Sequence, residues 1–336
     1  MPVVHVGFEI NNAAQIGEVR RAALELAADT GLDETDAGRL ALVVTEAGTN
    51  IVKHAGEGQI LLRRIHQDGR KGVEMHALDS GPGIGNMAES LRDGHSTAGS
   101  SGTGLGALSR LASRFDIYSR PGKGVALWCE IWAKNGAPAP ARLRAGVVCL
   151  PKPGETACGD GWLARGEKDR CVLMVVDGLG HGTDAAVAAR TATEVVKAHA
   201  RRGVTELADT VHGALKSTRG AAAALAVVKA GSEKGDFCGV GNVTCVVRAG
   251  GKSRALVSHN GILGHQVRKF QEFSFPFPRN ALLIMHSDGL TAKWTLDEYP
   301  GLEAREPALI AGVLFRDFRR GTDDASILVA RMANGT

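Results

Sequence analysis

A short proline- and glycine-rich stretch near the middle of the chain constrains its fold more than any other feature. Residues 133–146 read AKNGAPAPARLRAG, and neither a helix interior nor a central strand readily accommodates this composition. The 336 residues exceed the usual size of a single domain, and 44% hydrophobic residues are enough for two cores. We therefore expect this stretch to link two domains, at residues 1–136 and 144–336.

The overall composition narrows the classes of function. The 40 Lys and Arg residues nearly balance the 36 Asp and Glu residues and are spread along the chain, which does not favour nucleic-acid binding. No apolar run approaches the roughly 18 residues that a membrane span needs, so we expect a cytoplasmic protein with no membrane partner. The six cysteines include no C-x-x-C pair, which favours buried, reduced thiols over zinc ligands or disulfides.

Helical and strand patterns mix in the first half. Residues 13–31 repeat apolar positions at helical spacing and end on Gly31, and a second helix runs from about Thr35 to His54. The later patterns are the strands QILLRRIHQ and VEMHALD, the helix GALSRLASRF, and the strands DIYSR and VALWCEIW. This order predicts an α+β sandwich with helices on one sheet.

The second half is β-rich with a helical insertion. The strand CVLMVVDG precedes a helix from Thr183 to about Arg201 and another from about Glu206 to Ser217. The remaining strand candidates, divided by turn residues, are AALAVVKAG, FCGVGNVTCVVRAG, SRALVSHNG, ALLIMHSDG and ASILVARM. Because no repeat links the two halves, we expect two separate folds with separate roles.

The second helix of the first half carries polar residues at regular spacing. Glu46, Asn50 and His54 follow one another at intervals of four and therefore share a face. An acid, an amide and an imidazole on one face favour a polar ligand. A solvated helix face that ends at Gly56 explains the same pattern.

Two glycine-rich turns follow this helix. Asp79 ends a strand and precedes Ser-Gly-Pro-Gly, which places a carboxylate beside a closely approachable backbone. The stretch SSGTGLGALSRL places three alternate glycines before a helix, whose free N–H groups can hold phosphate oxygens. A lone G-x-G-x-G is weak support for a nucleotide site, so the interpretation depends on the combination.

In this order, the three elements resemble the ATP site of the GHKL superfamily, whose Bergerat fold is an α/β sandwich. The resemblance covers residues 1 to about 132. It implies that Asn50 coordinates Mg²⁺, that Asp79 accepts the adenine amino group, and that Glu46 is the catalytic base. It also implies an ATP site shaped by Gly81, Gly83, Gly102, Thr103, Gly104, Leu105 and Gly106. Lys53 either neutralises phosphate charge or is a surface lysine.

Within the superfamily, residues 91–124 are most similar to the small serine kinases of the RsbT and RsbW type. No dimerisation helix with a phosphoacceptor histidine precedes the domain, which argues against a histidine kinase. The short length argues against a chaperone or topoisomerase. In such a kinase, ATP and Mg²⁺ act mainly through positioning and charge neutralisation.

Acidic motifs follow or precede apolar runs in the second half. They are CGDGW, VVDGLGHG, HSDGL and GTDDAS, which carry Asp160, Asp177, Asp288, Asp323 and Asp324. Each Asp-Gly pair alone is an ordinary turn former. Clustered carboxylates, however, repel one another unless divalent cations lie between them, and oxygen-only ligands suit Mg²⁺ or Mn²⁺. Two such ions can activate a water and clamp a phosphoryl group.

These motifs resemble the PPM-type serine/threonine phosphatases, specifically the SpoIIE and RsbX branch, which have an αββα sandwich. The resemblance covers about 144–333. It implies that Asp177 is catalytic and bridges two metals, and that the Gly178 carbonyl is a further ligand. It implies that Asp288 and Asp323 bind the first metal, with Asp160 close to the ligands. Asp324 is included as a metal ligand, although adjacent side chains on a strand point to opposite faces.

Some residues near these motifs keep two interpretations. His181 either contacts the substrate phosphate or stabilises its turn, and His259 and Asn260 are interpreted as structural. The sequence has no arginine-bearing motif upstream of Asp160, in contrast to larger phosphatases of the superfamily. How the substrate phosphate is held therefore stays open.

The leading hypothesis is a bifunctional regulator that phosphorylates and dephosphorylates Ser or Thr on one partner. The resemblance implies a STAS-domain antagonist or a stressosome-like scaffold as that partner, in the control of an alternative sigma factor or a stress response. Reciprocal control is expected, with the helices of residues 183–217 moving the metal ligands. One alternative is a phosphatase whose first domain senses ATP and binds a partner without phosphorylating it. Another is a non-catalytic scaffold.

Overall fold

The structure is a computed structural model that describes residues 4–90, 104–133, 137–138, 143–167, 169–229 and 231–332. The described residues divide into two compact units. One lies within residues 5–139, and the other lies within residues 140–336 and includes Val4. The first strand of the second unit begins at Leu143, so the last four residues of the stretch interpreted as a linker belong to a strand.

The first unit contains a five-stranded sheet covered on one face by helices. Its elements are β1 (Val6–Ile10), α1 (Ala13–Thr30), α2 (Glu34–Asn50), a π-helical turn (Ile51–Ala55), β2 (Gly58–Gln67), β3 (Arg70–Asp79), α3 (Met87–Ser90), α4 (Leu105–Leu111), β4 (Arg114–Ser119) and β5 (Val125–Trp132). The strand order is β1-β2-β3-β5-β4, and all neighbours are antiparallel.

Local sequence signals explain the ends of the first helix. The Asn12 side chain accepts hydrogen bonds from the backbone N–H groups of Ala14 and Gln15 at the N-terminus of α1. Gly31 ends the helix with a φ of +70°, a left-handed conformation that glycine adopts without strain. The predicted span of this helix is confirmed.

The core of the first unit lies between the helices and the sheet. Leu40, Val44 and Ala47 of α2 pack with Met75 of β3 and Ile131 of β5 in one buried cluster. Burial of each large side chain in such a core contributes about 1.5–3 kcal/mol. This packing fixes α2 against the central strands.

Two expectations for the first unit need correction. The predicted helix GALSRLASRF ends at Leu111, because Ser113 N–H already donates to Glu130 O at 2.8 Å and residues 114–119 pair with β5. The edge strand β1 was not predicted. It pairs with β2 alone, and its outward-facing residues are exposed.

The second unit is a sandwich of two five-stranded sheets with helices outside. Its elements are β6 (Leu143–Leu150), β7 (Asp160–Gly166), β8 (Arg170–Gly178), α5 (Thr183–Ala198), α6 (Val204–Ala214), β9 (Ala221–Lys229), β10 (Lys234–Val240), β11 (Thr244–Ala249), β12 (Lys252–Leu256), β13 (Phe273–Pro276), β14 (Leu282–His286), α7 (Pro307–Phe318) and β15 (Ala325–Met332). Single 3₁₀ turns lie at Leu215–Ser217, Leu296–Glu298 and Leu302–Ala304.

The sheets have the orders β13-β10-β9-β8-β7 and β12-β11-β14-β15-β6. A core cluster between them contains Leu173 and Phe237 of one sheet and Met285 and Leu328 of the other. The helices α5 and α6 cover the outer face of the first sheet, and α7 packs on β6 and β15. The mixed α+β class and the αββα layering are therefore confirmed.

Several strands of the second unit differ from the expectation. The stretch at 237–250 is two strands, β10 and β11, separated by a turn at 241–243. The elements β6, β7, β13 and α7 were not predicted. All six cysteines are buried and free, as expected. In the described part of the chain, no helix is long and apolar enough to cross a membrane.

Candidate functional sites

A cavity of about 440 Å³ in the first unit brings together the polar face of α2 and the first glycine turn. Glu46 and Asn50 of α2 and His54 of the π-helical turn all line it, so the expectation that they share a face is confirmed. Asp79, at the end of β3, lines the same cavity.

The backbone around Asp79 holds its carboxylate in a fixed orientation. The Oδ1 atom accepts hydrogen bonds from the N–H of Gly81 at 2.9 Å and from the N–H of Val125 at 3.2 Å. The apolar side chains of Ala77, Ile84 and Leu127 also line the cavity. A fixed carboxylate beside an apolar wall suits an adenine ring, which combines a flat apolar face with an amino group.

Close backbone approaches explain the glycines of this region. A Cβ atom at Gly81 would lie 2.6 Å from Ala55 Cβ, and Gly83 has a φ of +73°. A Cβ atom at Gly124 would lie 1.9 Å from the carbonyl oxygen of Asp79. Sequence reasoning did not single out Gly124, although the turn RPGKG that contains it carried the signal.

The electrostatics of Glu46 reflect its position at the cavity. Partial burial raises the pKa of its carboxyl group, and the positive charge of Lys53 lowers it. Lys53 is exposed and is not among the residues that line the cavity. The charge of Lys53 therefore acts on Glu46, although Lys53 does not contact the described cavity.

The second glycine turn meets the same cavity at its C-terminal end. Gly104 and Leu105 line the cavity, and Gly106 is buried in α4. Gly102 and Thr103, which were also predicted to shape the ATP site, lie outside the described residues. Both glycine turns therefore line one cavity where the chain is described, and its use as a nucleotide site stays a prediction.

The second unit brings four acidic strand ends together. Asp160 opens β7 and Asp177 lies near the end of β8, and the two are direct neighbours in the antiparallel register. Asp288 follows β14, and Asp323 precedes β15 by two residues. In that second pair of strands His286 lies opposite Ile327, so these ends are also adjacent.

The charges of these residues act on one another. Burial raises the pKa of Asp177 to about 9, and the carboxylates of Asp160, Asp288, Asp323 and Asp324 add to the increase. Burial likewise raises the pKa of Asp160 to about 7. Such mutual repulsion is relieved by divalent cations, and the all-oxygen donor set fits Mg²⁺ or Mn²⁺.

The arrangement differs from a site in which three carboxylates hold one ion. Among the described residues, no three of these aspartates bring one oxygen each within 4.8 Å of the others. The carboxylates instead lie in neighbouring groups at two strand pairs, Asp160 with Asp177 and Asp288 with Asp323.

Hydrogen bonds position the individual carboxylates. Ser287 Oγ donates to Asp160 Oδ2 at 2.6 Å, and Asn242 Nδ2 donates to Asp288 Oδ2 at 2.7 Å. Both oxygens of Asp324 accept backbone N–H groups at 2.8 Å, those of Lys152 and Gly159. Asp324 was predicted as a metal ligand, and the contacts that the structure gives it join β15 to the loop before β7.

Sequence reasoning missed Ser287 and Asn242. Ser287 stood within the motif HSDGL, so a polar residue beside the aspartate was its only signal. Asn242 lies in the turn between β10 and β11, which was read as continuous strand, so its position was hidden.

The glycines of this site are also places of close approach. A Cβ atom at Gly178 would lie 2.3 Å from the carbonyl oxygen of Ala185, and one at Gly289 would lie 2.0 Å from the carbonyl oxygen of Asp324. Because neither position tolerates a side chain, the Asp-Gly pairs have a packing reason beyond turn formation.

Two histidines near the acidic site, His181 and His259, make contacts with neighbouring residues. His181 Nδ1 contacts Glu155 Oε1 at 2.9 Å on the surface, a contact that stabilises its turn. The backbone of His259 pairs with Gly239 and Gly241, and its ring stacks on Phe273 with a centroid distance of 5.7 Å. These contacts agree with the structural interpretation of His259, which stays a prediction.

Comparison with known proteins agrees with this division of the chain. Residues 10–129 match the histidine kinase-like ATPase domain family, and residues 167–333 match the family of stage II sporulation protein E, SpoIIE. The chain joins a histidine kinase-like ATPase domain of the GHKL type to a SpoIIE-family PPM domain.

Individual relatives match each half of this two-domain chain. The serine/threonine-protein kinase RsbT of Bacillus subtilis is 34% identical over 127 residues, which cover 38% of this chain and 91% of RsbT. The phosphoserine phosphatase RsbX of the same organism is 26% identical over 145 residues, which cover 43% of this chain and 73% of RsbX.

Solved structures resemble the chain over more than half of its length. A chain from a structure described as the bacterial stressosome has a TM-score of 0.53 and 26% identity, covering 57% of this chain and all of that one. RsbX in complex with magnesium has a TM-score of 0.50 and 20% identity, covering 58% of this chain and 98% of RsbX. The RsbX comparison supports the fold of the SpoIIE-family domain.

Proposed function

We propose that this chain is a bifunctional regulator that phosphorylates and dephosphorylates Ser or Thr on one partner protein. The convergence of Asp160, Asp177, Asp288 and Asp323 at one end of the sandwich carries the phosphatase half of this proposal. The joint lining of one cavity by Glu46, Asn50 and Asp79 supports the kinase half.

In the kinase half, the residues divide the work of holding ATP and activating the acceptor. Asp79 would accept a hydrogen bond from the adenine amino group, and Asn50 would hold the Mg²⁺ that accompanies ATP. Glu46 faces the same cavity, and its raised pKa suits a group that takes a proton from an attacking hydroxyl. Catalysis then depends mainly on positioning and charge neutralisation.

In the phosphatase half, the aspartates form an oxygen-lined site for Mg²⁺ or Mn²⁺. Asp177 and the Gly178 carbonyl lie at the end of β8, with Asp288 and Asp323 at the adjoining strand ends. When bound, the ions supply an activated water and neutralise charge on the phosphoryl group. Ser287 and Asn242 hold the carboxylates of Asp160 and Asp288 in place, and Asp324 anchors the neighbouring loop.

The names of the relatives support a partner protein from a stress-response pathway. A kinase named RsbT and a phosphatase named RsbX match the two halves, and a stressosome chain matches more than half of this chain. We infer a role in a partner-switching pathway of stress-response or alternative sigma factor control. The partner that fits this pathway is a STAS-domain antagonist or a stressosome-like scaffold.

The kinase half is tested in the full-length chain with the phosphatase silenced. The Asp177→Asn variant is incubated with γ-labelled ATP, Mg²⁺ and candidate STAS proteins. We expect label on a Ser or Thr of one candidate, and its loss when Glu46→Gln is added. Absence of label from every candidate, with ATP binding intact, would reject the kinase half.

An ATP-sensing first domain is the second candidate, because ATP binding and phosphoryl transfer use the same Asn50 and glycines. The exposed position of Lys53 leaves the described cavity without a lysine in its lining, which favours binding without transfer. In that case the chain binds its partner in an ATP-dependent way, and Glu46→Gln leaves the binding unchanged.

Reciprocal control between the activities is part of the proposal. The helix α5 follows the loop of residues 179–182, which begins directly after the Asp177 and Gly178 end of β8, and the Ala185 carbonyl of α5 packs against Gly178. Movement of α5 and α6 therefore displaces a proposed ligand. Phosphatase turnover that stays constant at saturating ATP, with and without partner, would show reciprocal control to be wrong.

A further inference from the structure

A cluster of two histidines and a glutamate lies in the first unit, apart from the residues that line its cavity. His5, Glu74 and His76 each bring one potential ligand atom within 4.8 Å of the other two. All three residues are buried. Neither proposed activity uses them, so their arrangement needs its own explanation.

The strand geometry brings these side chains together. Glu74 and His76 are two residues apart on β3 and therefore point to the same face of the sheet. The intervening Met75 points into the helix-covered core. His5 directly precedes β1, the edge strand that is separated from β3 only by β2.

His76 has no hydrogen-bonding partner in this cluster. Among the residues that the structure describes, neither buried ring nitrogen has a hydrogen-bonding partner, and His76 is 0% exposed. Its Nε2 lies 3.7 Å from Glu74 Oε1, which is too long for a hydrogen bond. An unpaired buried imidazole costs free energy, and ligation of a metal ion is one way to recover it.

The distances between the donor atoms suit a small tetrahedral ion. His5 Nε2 lies 3.2 Å from Glu74 Oε1, and the matching distance from His76 Nε2 is 3.7 Å. Two ligand atoms at the usual Zn²⁺ distances are about 3.4 Å apart in a tetrahedral site. Two imidazoles with one carboxylate are a donor set that Zn²⁺ accepts readily.

Neighbouring side chains already orient the carboxylate. Trp128 Nε1 donates to Glu74 Oε2 at 3.0 Å, while Arg63 donates to Oε1 through Nε at 2.9 Å and Nη2 at 2.7 Å. Outer hydrogen bonds of this kind hold a metal-binding carboxylate in position. Arg63 is also the competitor, because its positive charge neutralises Glu74 without any metal.

We propose that His5, Glu74 and His76 form a structural Zn²⁺ site that ties the start of β1 to the central strand β3. A tetrahedral ion takes four ligands, so a water molecule would complete the set of three side chains. The burial of all three side chains keeps the site closed to a substrate. The ion would replace the His5–Glu74 hydrogen bond and at least one of the two Arg63 hydrogen bonds to Oε1, because this oxygen cannot accept both beside a metal ion.

Metal content of the full-length chain tests this site directly. The protein is stripped with a chelator, incubated with Zn²⁺ in excess Mg²⁺ to saturate the aspartate site, and separated from free metal without nucleotide. We expect one Zn²⁺ per chain in the unmodified protein and in Asp177→Asn. The affinity should fall by at least ~10-fold in His76→Gln and in His5→Gln.

His66→Gln is the matched control, because His66 lies exposed on β2 of the same sheet. It should keep the bound Zn²⁺, and the thermal unfolding midpoint of the first unit should rise with Zn²⁺ in this control but not in His76→Gln. Circular dichroism checks that each variant folds, and His5→Gln gives an independent test if His76→Gln does not. Absence of Zn²⁺ from the unmodified chain, or equal Zn²⁺ in His5→Gln and His66→Gln, would overturn the proposal.

Discussion

Asp160 and Asp177 lie directly opposite each other across the antiparallel pair of β7 and β8. Two carboxylates in this position repel each other, and burial strengthens the effect. The ionised carboxylates destabilise the metal-free folded state, since the pKa of Asp177 is raised to about 9 and that of Asp160 to about 7. Binding of divalent cations between these carboxylates would relieve their repulsion and stabilise the folded protein.

Removal of the Asp177 charge should abolish the phosphatase activity. Asp177→Asn keeps the size of the side chain but removes the proposed bridge between two ions, so we expect hydrolysis of a generic phosphate ester with Mn²⁺ to fall at least ~10²-fold. Asp209→Asn, in an exposed position on α6, is the control and should retain activity. Equal activity in the two variants would contradict the assignment.

The stability of the metal-free protein should fall as the pH rises. The folded carboxyl group of Asp177 has a pKa of about 9, well above that of an unfolded aspartate, so the folded state holds a proton that the unfolded state releases. The free energy of unfolding therefore decreases between about pH 4 and about pH 9.

Thermal unfolding with a chelator, compared at about pH 6 and about pH 9, measures this effect. The midpoint of the second unit should be lower at the higher pH, and Mn²⁺ should raise it most there, because bound cations favour ionised carboxylates. Asp177→Asn should flatten the pH dependence. A midpoint that rises with pH in the chelated protein would rule this explanation out.

Substitution of Gly124 should weaken ATP binding. A Cβ atom there would lie 1.9 Å from the carbonyl oxygen of Asp79, and the φ of Gly124 is +71°, so Gly124→Ala must displace the turn at Asp79, which we propose binds adenine. Gly122 has an almost identical φ of +72° but open space around its Cβ position. Gly122→Ala therefore reports backbone strain alone, about 1–3 kcal/mol.

Calorimetric titration with ATP and Mg²⁺ compares these two variants. We expect Gly124→Ala to bind at least ~10-fold more weakly than Gly122→Ala. Equal affinities would mean that the turn at Asp79 does not contact the nucleotide.

The hydrogen bond from Asn242 should tune metal affinity more than turnover. Asn242 Nδ2 donates to Asp288 Oδ2 at 2.7 Å, so Asn242→Ala leaves this carboxylate less well oriented. We expect the Mn²⁺ concentration for half-maximal phosphatase activity to rise about 10-fold, with kcat at saturating Mn²⁺ nearly unchanged. A lower kcat at an unchanged Mn²⁺ requirement would instead place Asn242 against the substrate.

Helices and strands with clear local signals were predicted correctly from the sequence. The helix of residues 13–30 had an Asn cap, amphipathic spacing and a closing glycine, and strand β5 was predicted at its observed bounds. The helix α7 was missed because residues 307–315 are all buried. A helix that is apolar on every side has no periodic contrast to detect.

The candidate site residues were predicted only in part, for a similar reason. Aspartates beside glycines at strand ends stand out locally, and so does a polar stripe at intervals of four. The residues that hydrogen-bond to these aspartates have no such local signal. Asn242 reaches Asp288, and Ser287 reaches Asp160, only because the tertiary fold brings them together. The cluster of His5, Glu74 and His76 likewise depends on residues far apart in sequence, which the pairing of β1 and β3 with the intervening β2 brings together.

The central claim, that one chain adds and removes phosphate on one partner, is tested most directly by following labelled phosphate on a STAS-domain protein. We predict that Asp177→Asn transfers label from ATP to the partner, and that the chain with Asn50→Ala removes this label when Mn²⁺ is present. Failure of Asn50→Ala to release phosphate from the partner that Asp177→Asn has labelled would contradict the account.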